Sequence, residues 1–221
     1  MCFLKSSLGS KYLMALTGLA LIGFVVAHLL GNLQMFAGPE AINAYAQTLV
    51  NLGGLLWIAR IGLLVIFFTH LGIAVKLKME NNSARPVKYS FNSTVKATLT
   101  SRMMVLTGIL ILAFIIFHLM HYTLNIIDPS YATLVDAKGR HDVYSMVVSG
   151  FSNPYFCISY IIAILALGAH LHHGASSMFQ TLGFNSPKYQ PCTKWVGPAL
   201  SLVIPLGYLS IPVAVWLEVI Q

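Results

Sequence analysis

An all-α integral membrane protein with five transmembrane helices is the fold class this sequence predicts, and three observations predict it. Hydrophobic residues make up 57% of the 221 and charged residues only 9%, far below the about 25% charge of a soluble domain. Five nearly uncharged runs are long enough to cross about 30 Å of hydrocarbon, which takes roughly 20 helical residues. Lys and Arg gather in alternate connections between those runs, as the positive-inside bias requires. The formal net charge of +7 is that topology signal and not a nucleic-acid footprint, because the cations are scattered over short loops.

The first helix is expected over residues 12–36. It is too long for a signal-peptide core and lacks a small-residue cleavage site, so it is read as retained. Residues 39–52 open with Pro39 and Glu40, as a helix start does, and predict a short surface helix. The second and third spans cover 54–77 and 102–127. Residues 128–153 carry the polar run DAKGRHD and then VYSMVVSGFSNP, where Asn153-Pro154 leads into the fourth span at 155–182. The fifth, 195–219, holds Pro198, Pro205 and Pro212 and is expected to be kinked. The two long connections on one side suit either a lid over a pocket or interfacial packing. All of 1–221 reads as one transmembrane domain.

Lys5 and Lys11 precede the first span, Lys76, Lys78, Arg85, Lys88, Lys96 and Arg102 lie around the second connection, and Lys188 and Lys194 precede the fifth. Those segments are expected on the cytoplasmic side of an inner membrane, with the C-terminus outside. Arg60 sits inside the start of the second span. Cys2, Cys157 and Cys192 form no CxxC or CxxCH, which excludes a covalent c-type haem and an iron–sulfur cluster held by this chain alone.

Four His-Leu pairs, at 28–29, 70–71, 118–119 and 170–171, fall one in each of the first four spans. An imidazole in a hydrocarbon-length helix is costly unless a bundle interior, a partner or a metal takes it up. Thr17-Gly18, Phe24 and His28-Leu29 recur ninety positions later as Thr107-Gly108, Phe114 and His118-Leu119, a repeat of the kind that marks pseudo-symmetric halves. Depth pairs the histidines: His28 and His118 share the outer half of the membrane, His70 and His170 the inner half. At about 1.5 Å per residue the two levels differ by on the order of 10 Å or more.

Two imidazoles facing each other from different helices are the axial ligand set of a six-coordinate haem iron, so two levels predict two non-covalent haems b. Each ligand must be neutral, with its second nitrogen fixed by a neighbour. Gly18, Gly23, Gly31, Gly62, Gly72, Gly108, Gly168 and Gly174 either make room for a macrocycle or bring helices close. Zinc or copper transport is the competing metal reading, prompted by His170, His172 and His173; consecutive histidines point in different directions on a helix, and no Asp, Glu or Cys within a span completes such a site. His121 stands three residues from His118 on the same broad face, and the repeat selects His118. His141 is expected to be solvated.

With these histidines, the stretch DVYSMVVSGFSNP at 142–154 and the stretch HLHHGASSMFQTLGFNSPKY at 170–189, nearly the whole chain resembles the five-helix dihaem cytochrome b membrane-anchor subunit of succinate:quinone oxidoreductases, the succinate dehydrogenases and fumarate reductases. The family's helix-four ligand stands four residues before a glycine, which implies His170, before Gly174, over His173. The resemblance implies axial pairs His70/His170 for the haem proximal to the partner subunits and His28/His118 for the distal one. It also implies cytoplasmic flavoprotein (FAD) and iron–sulfur subunits, with electrons passing to or from a quinone, commonly menaquinone, and dicarboxylate chemistry on the flavoprotein. The cytochrome b anchor of another respiratory dehydrogenase is the alternative within electron transfer.

The basic segment 76–102 suits docking of such a partner, with Arg85, Lys88 and Arg102 as candidates to pair with its acids or with haem propionates. Asn32, Gln34, Glu40, Asn43, Tyr45 and Arg60 are candidates for a quinone pocket. Asp and Glu total six and none lies mid-span, so no buried carboxylate is expected to relay protons beside the haems.

Overall fold

The computed structural model describes residues 6–84 and 97–221. Helix α1 spans Ser7–Asn32 and continues as a 3-10 turn, Leu33–Ala37; α2 is Pro39–Asn51 and α3 Gly54–Ser83. Then follow α4 (Leu99–Arg102), α5 (Met104–His118), a π turn at Leu119–Thr123, α6 (Val143–Ser152), α7 (Pro154–Thr181) and α8 (Gln190–Trp216). Five of these, α1, α3, α5, α7 and α8, are long and apolar enough to cross a membrane. Among the described residues the one strand-like pairing is the isolated bridge Val135–His141.

The helix starts have local causes. Ser6 accepts from the Gly9 amide, Asp142 from Ser145 and Asn153 from Tyr155, each satisfying an amide that the first turn leaves free. Pro39 and Pro154 occupy first-turn positions, where a missing N–H costs nothing. Gly38, at φ 91°, takes the left-handed entry into α2 that a side chain would strain. The expected surface helix at 39–52 is therefore present as α2.

Three helices run past their expected boundaries for one reason: hydropathy marks the hydrocarbon, whereas helical hydrogen bonding runs on beyond it. α1 starts at Ser7 and α3 continues past Lys76 and Lys78 to Ser83. α8 starts at Gln190 and runs unbroken through Pro198, Pro205 and Pro212 to Trp216. Arg85, Lys88 and Lys96, like Cys2 and Lys5, lie outside the described residues.

α7 is the hub, packed on α1, α5, α6 and α8 and touching α4. Small residues set its closest crossing. A Cβ on Gly168 would come 2.9 Å from Pro205 Cγ, and one on Gly197 would come 2.5 Å from the His172 carbonyl, so both glycines let α7 and α8 approach. Gly31 likewise takes the Tyr45 ring of α2 against α1. These contacts assign Gly31 and Gly168 to packing. The second span is the opposite case: α3 packs extensively on α1 alone and contains no buried residue.

Packing is densest at the end where α2, the loop 124–142 and α6 form a cap, around Met35, Ile42, Phe151, Cys157, Tyr160 and Ile211. Asn43 is fully buried there, its amide donating to Asp142 Oδ1 at 3.0 Å and its oxygen accepting from the Tyr144 amide at 3.1 Å. Glu40 pairs with Lys138 at 2.7 Å and with Arg140 at 2.8 Å, and Arg140 reaches Asp136 at 2.6 Å. Of the two readings of these connections, a lid or interfacial packing, the contacts described are those of packing: a clamped cap.

The clamp has a pH dependence with a fixed sign. The Arg140 guanidinium holds Asp136 down at about 2, and Arg140 with Lys138 lowers Glu40. Carboxylates depressed in the folded state contribute stability that is complete above their unfolded values, about 4, and that is lost as pH falls through the folded value. Protection of the Asp136 and Asp142 amides, which bond Arg140 O and Leu134 O, is expected to hold from neutral pH to about 4 and to fall between about 4 and 2. Hydrogen exchange corrected for intrinsic rates measures it; protection already lost at pH 6 would mean that other groups hold the cap.

Two facing histidine pairs

Eleven residues separate Thr17 from His28 and Thr107 from His118, just over three helical turns, so each pair lies on one face of its helix. That face carries the repeat, and each repeated residue has a contact. Thr17 Oγ1 lies 3.0 Å from His70 Nδ1, joining α1 to α3. Thr107 Oγ1 lies 3.1 Å from His170 Nδ1, joining α5 to α7 in the same way. A Cβ on Gly18 or Gly108 would meet the Cε1 of that same histidine, at 3.4 and 3.7 Å. Phe24 stacks on His28 one turn later, centroids 5.4 Å apart, and Phe114 lies on His118 at 5.7 Å. α1 with α3 and α5 with α7 are thus two equivalent halves.

The threonines also select the tautomer. Each hydroxyl has one proton, and backbone carbonyls one turn back take it: Leu13 O at 2.8 Å from Thr17, Met103 O at 3.0 Å from Thr107. The oxygen is then left to accept, so Nδ1 of His70 and of His170 carries the hydrogen and donates it. Nε2 keeps its lone pair, which is the form of imidazole that binds a metal. His70 and His170 therefore sit at one depth, each beside the threonine of one copy of the repeat.

The second level lies nearer the cap. The rings of His28 and His118 face each other with centroids 5.9 Å apart and planes at 82°. Two metal–imidazole bonds of about 2 Å and the half-widths of two rings fill such a gap. Tyr160 on α7 holds His118 through a 3.1 Å contact from its hydroxyl to Nδ1. Because Thr17 sits beside His70 and eleven residues before His28, the two levels are separated by about 16 Å along the helix axis.

The other histidines go elsewhere. His121 lies within the π turn and is fully buried against Tyr122 at 4.0 Å and Phe156 at 4.5 Å. His172, two residues and so about 200° on from His170, turns to Thr100 at 3.3 Å in a groove with Ser201 and Pro205. His173 is half-buried and His141 exposed. Among the described residues no three of His, Cys, Asp and Glu gather as a site for a bare ion.

The expected quinone candidates are engaged separately. Asn32 donates to the His28 carbonyl at 2.7 Å, Glu40 and Asn43 belong to the cap, Tyr45 covers Gly31, and Arg60 lies over Trp57 at 5.1 Å. Gln34 lies in the 3-10 turn after α1. All six acids are at the ends of spans or in connections, Glu80 beside Lys76 and the others on the cap side. Sequence reasoning missed the function of Thr17 and Thr107, although the repeat displayed them. It also missed Tyr160, whose place depends on how α7 crosses α5.

Comparison with known protein families, with curated proteins and with solved structures finds no match for this chain.

Proposed function

We propose that this chain is the dihaem cytochrome b subunit that anchors a succinate dehydrogenase or fumarate reductase in the inner membrane and carries electrons between its iron–sulfur subunit and a membrane quinone, menaquinone in the first instance. The observation that carries the reading is the set of four imidazoles, one from each of four spans, at two depths: His28 facing His118, and His70 and His170 held at the other level by equivalent threonines. His70 and His170 would hold the proximal haem, and His28 and His118 the distal one.

The residues fit the group on three counts. Pairs, rather than triads, suit an iron whose porphyrin brings its own equatorial nitrogens. Thr17 and Thr107 leave Nε2 of His70 and His170 free to ligate, and hydrogen bonding at the other nitrogen orients a ligating imidazole. All four imidazoles are partly accessible although they face into the bundle, while His121 is sealed.

Haem b when bound supplies a one-electron ferric/ferrous couple. The chain's own residues orient the imidazoles, exclude bulk water by apolar packing, and keep the levels about 16 Å apart. The basic end, with Lys76, Lys78, Arg102, Lys188 and Lys194, would face the cytoplasm and receive the iron–sulfur and FAD subunits, the dicarboxylate reaction staying on the flavoprotein. None of the six carboxylates lies mid-span, so none is placed to relay protons beside the haems.

The test is the dithionite-reduced minus oxidised spectrum of the purified chain with a pyridine haemochrome count. Two haems b per polypeptide are expected; well-folded protein without haem would overturn the reading. Co-purification with a succinate-oxidising flavoprotein separates it from the anchor of another dehydrogenase.

A further inference from the structure

Tyr160 bridges two histidines. Its hydroxyl lies 3.1 Å from Nδ1 of His118 and 3.1 Å from Nδ1 of His121. A phenol has one proton to donate and lone pairs to accept with, and among the described residues the two histidines are its partners, so its buried proton is satisfied only on one of them. If His118 ligates through Nε2, its hydrogen is on Nδ1 and is donated to the Tyr160 oxygen. The Tyr160 proton then goes to Nδ1 of His121, which must be bare, and His121 carries its own hydrogen on Nε2.

The order is therefore fixed from one end to the other. The far end is distinctive: His121 is fully buried, and Nε2 has no partner among the described residues. The Tyr122 hydroxyl and Asn125 Oδ1 are also buried without a partner among those residues, and both belong to the same segment, 121–125. That segment takes in the second half of the π turn and, at Asn125, a left-handed backbone with φ 50°. π turns of this kind recur at functional positions. Buried donors and acceptors gathered in one place are where proteins keep ordered water.

We propose that Tyr160 and His121 are positioning residues for His118, forming a one-directional hydrogen-bond chain through which the π turn tunes the centre at the His28/His118 level. The proposal rests on the dihaem reading. Accepting from Nδ1–H makes an imidazole more basic toward its metal, and a Tyr160 oxygen that itself donates onward accepts more strongly. A more basic ligand favours the ferric state, so the chain lowers the potential of that level. The His70/His170 level, held by threonines whose protons end on nearby carbonyls, has no such extension.

Redox titration of the purified protein, followed at the haem absorbance after the pyridine haemochrome count, tests this. Tyr160→Phe is expected to keep two haems and to raise one midpoint potential, leaving the other in place. Thr17→Val is expected to move the other potential, which assigns the two. Selective loss of one haem in Tyr160→Phe, the one whose potential Thr17→Val leaves unmoved, is the same positioning effect carried further. His121→Leu, which leaves Tyr160 in place, is expected to raise the same potential as Tyr160→Phe by a smaller shift. Two haems with both potentials unchanged in Tyr160→Phe, loss of both haems, or a His121→Leu variant with wild-type potentials would overturn the chain. A parent protein without haem would instead count against the proposed function.

Discussion

Replacing His170 by alanine is expected to remove one of the two haems b and to leave the other, so that the pyridine haemochrome count falls from two per chain to one. His170 shares its level with His70, with Thr107 fixing its Nδ1. Alanine leaves His70 as the single ligand at that level, and the Thr107 oxygen without its donor. The His28/His118 level is about 16 Å away and draws its supports from Phe24, Phe114 and Tyr160; mutations at such distance with no shared partner act independently. His173→Ala is expected to keep both haems, because Thr107 engages His170. A loss of haem in His173→Ala with retention in His170→Ala would reverse the ligand choice on α7.

Much of this was legible in the sequence because a membrane restricts what a chain does. The five apolar runs are five helices long and apolar enough to cross a membrane, where hydrocarbon leaves the backbone no partner but itself. Pairing by depth followed from counting residues at a fixed rise; the structure brings His28 to His118 and sets His70 and His170 beside the equivalent threonines Thr17 and Thr107. The helix ends were less legible: α3 runs to Ser83 because hydrogen bonding continues where hydropathy stops. The repeat was visible as a pattern, yet its meaning was not. Thr17 and Gly18 act on a histidine of the next helix, and single-helix periodicity carries no information about a neighbour. Tyr160 left no trace in the pattern, because it has no counterpart in the other half. Asn43 and Glu40 show the converse error: polar residues near the outer surface invite a ligand role, while the cap consumes them in its own hydrogen bonds.

Thr107→Val and Thr17→Val, which delete a hydroxyl at nearly constant volume, are expected to weaken haem binding at the His70/His170 level by roughly 10–100-fold each, the usual cost of removing the group that orients a ligating imidazole. Thr107 and Thr17 are 2% and 7% exposed, so water does not readily replace the lost oxygen. Without it Nδ1–H is an unpaired donor in an apolar bundle, the tautomer is no longer fixed, and the ring is free to turn from its partner. The same change removes a hydrogen bond between α5 and α7, or between α1 and α3, so a fall in haem content alone would not separate ligand orientation from helix packing. Serine does. Thr107→Ser and Thr17→Ser keep an oxygen that bonds the preceding turn and accepts from Nδ1, and they are expected to retain near-parental affinity although they lose the methyl group that packs. Haem loss to an excess of a haem-scavenging protein, followed as two kinetic phases, gives the readout: valine accelerates one phase and leaves the other, and serine accelerates neither. Valine variants that release haem at the parental rate would show that the imidazoles are held by the bundle itself and that the repeated threonines serve only to join the helices.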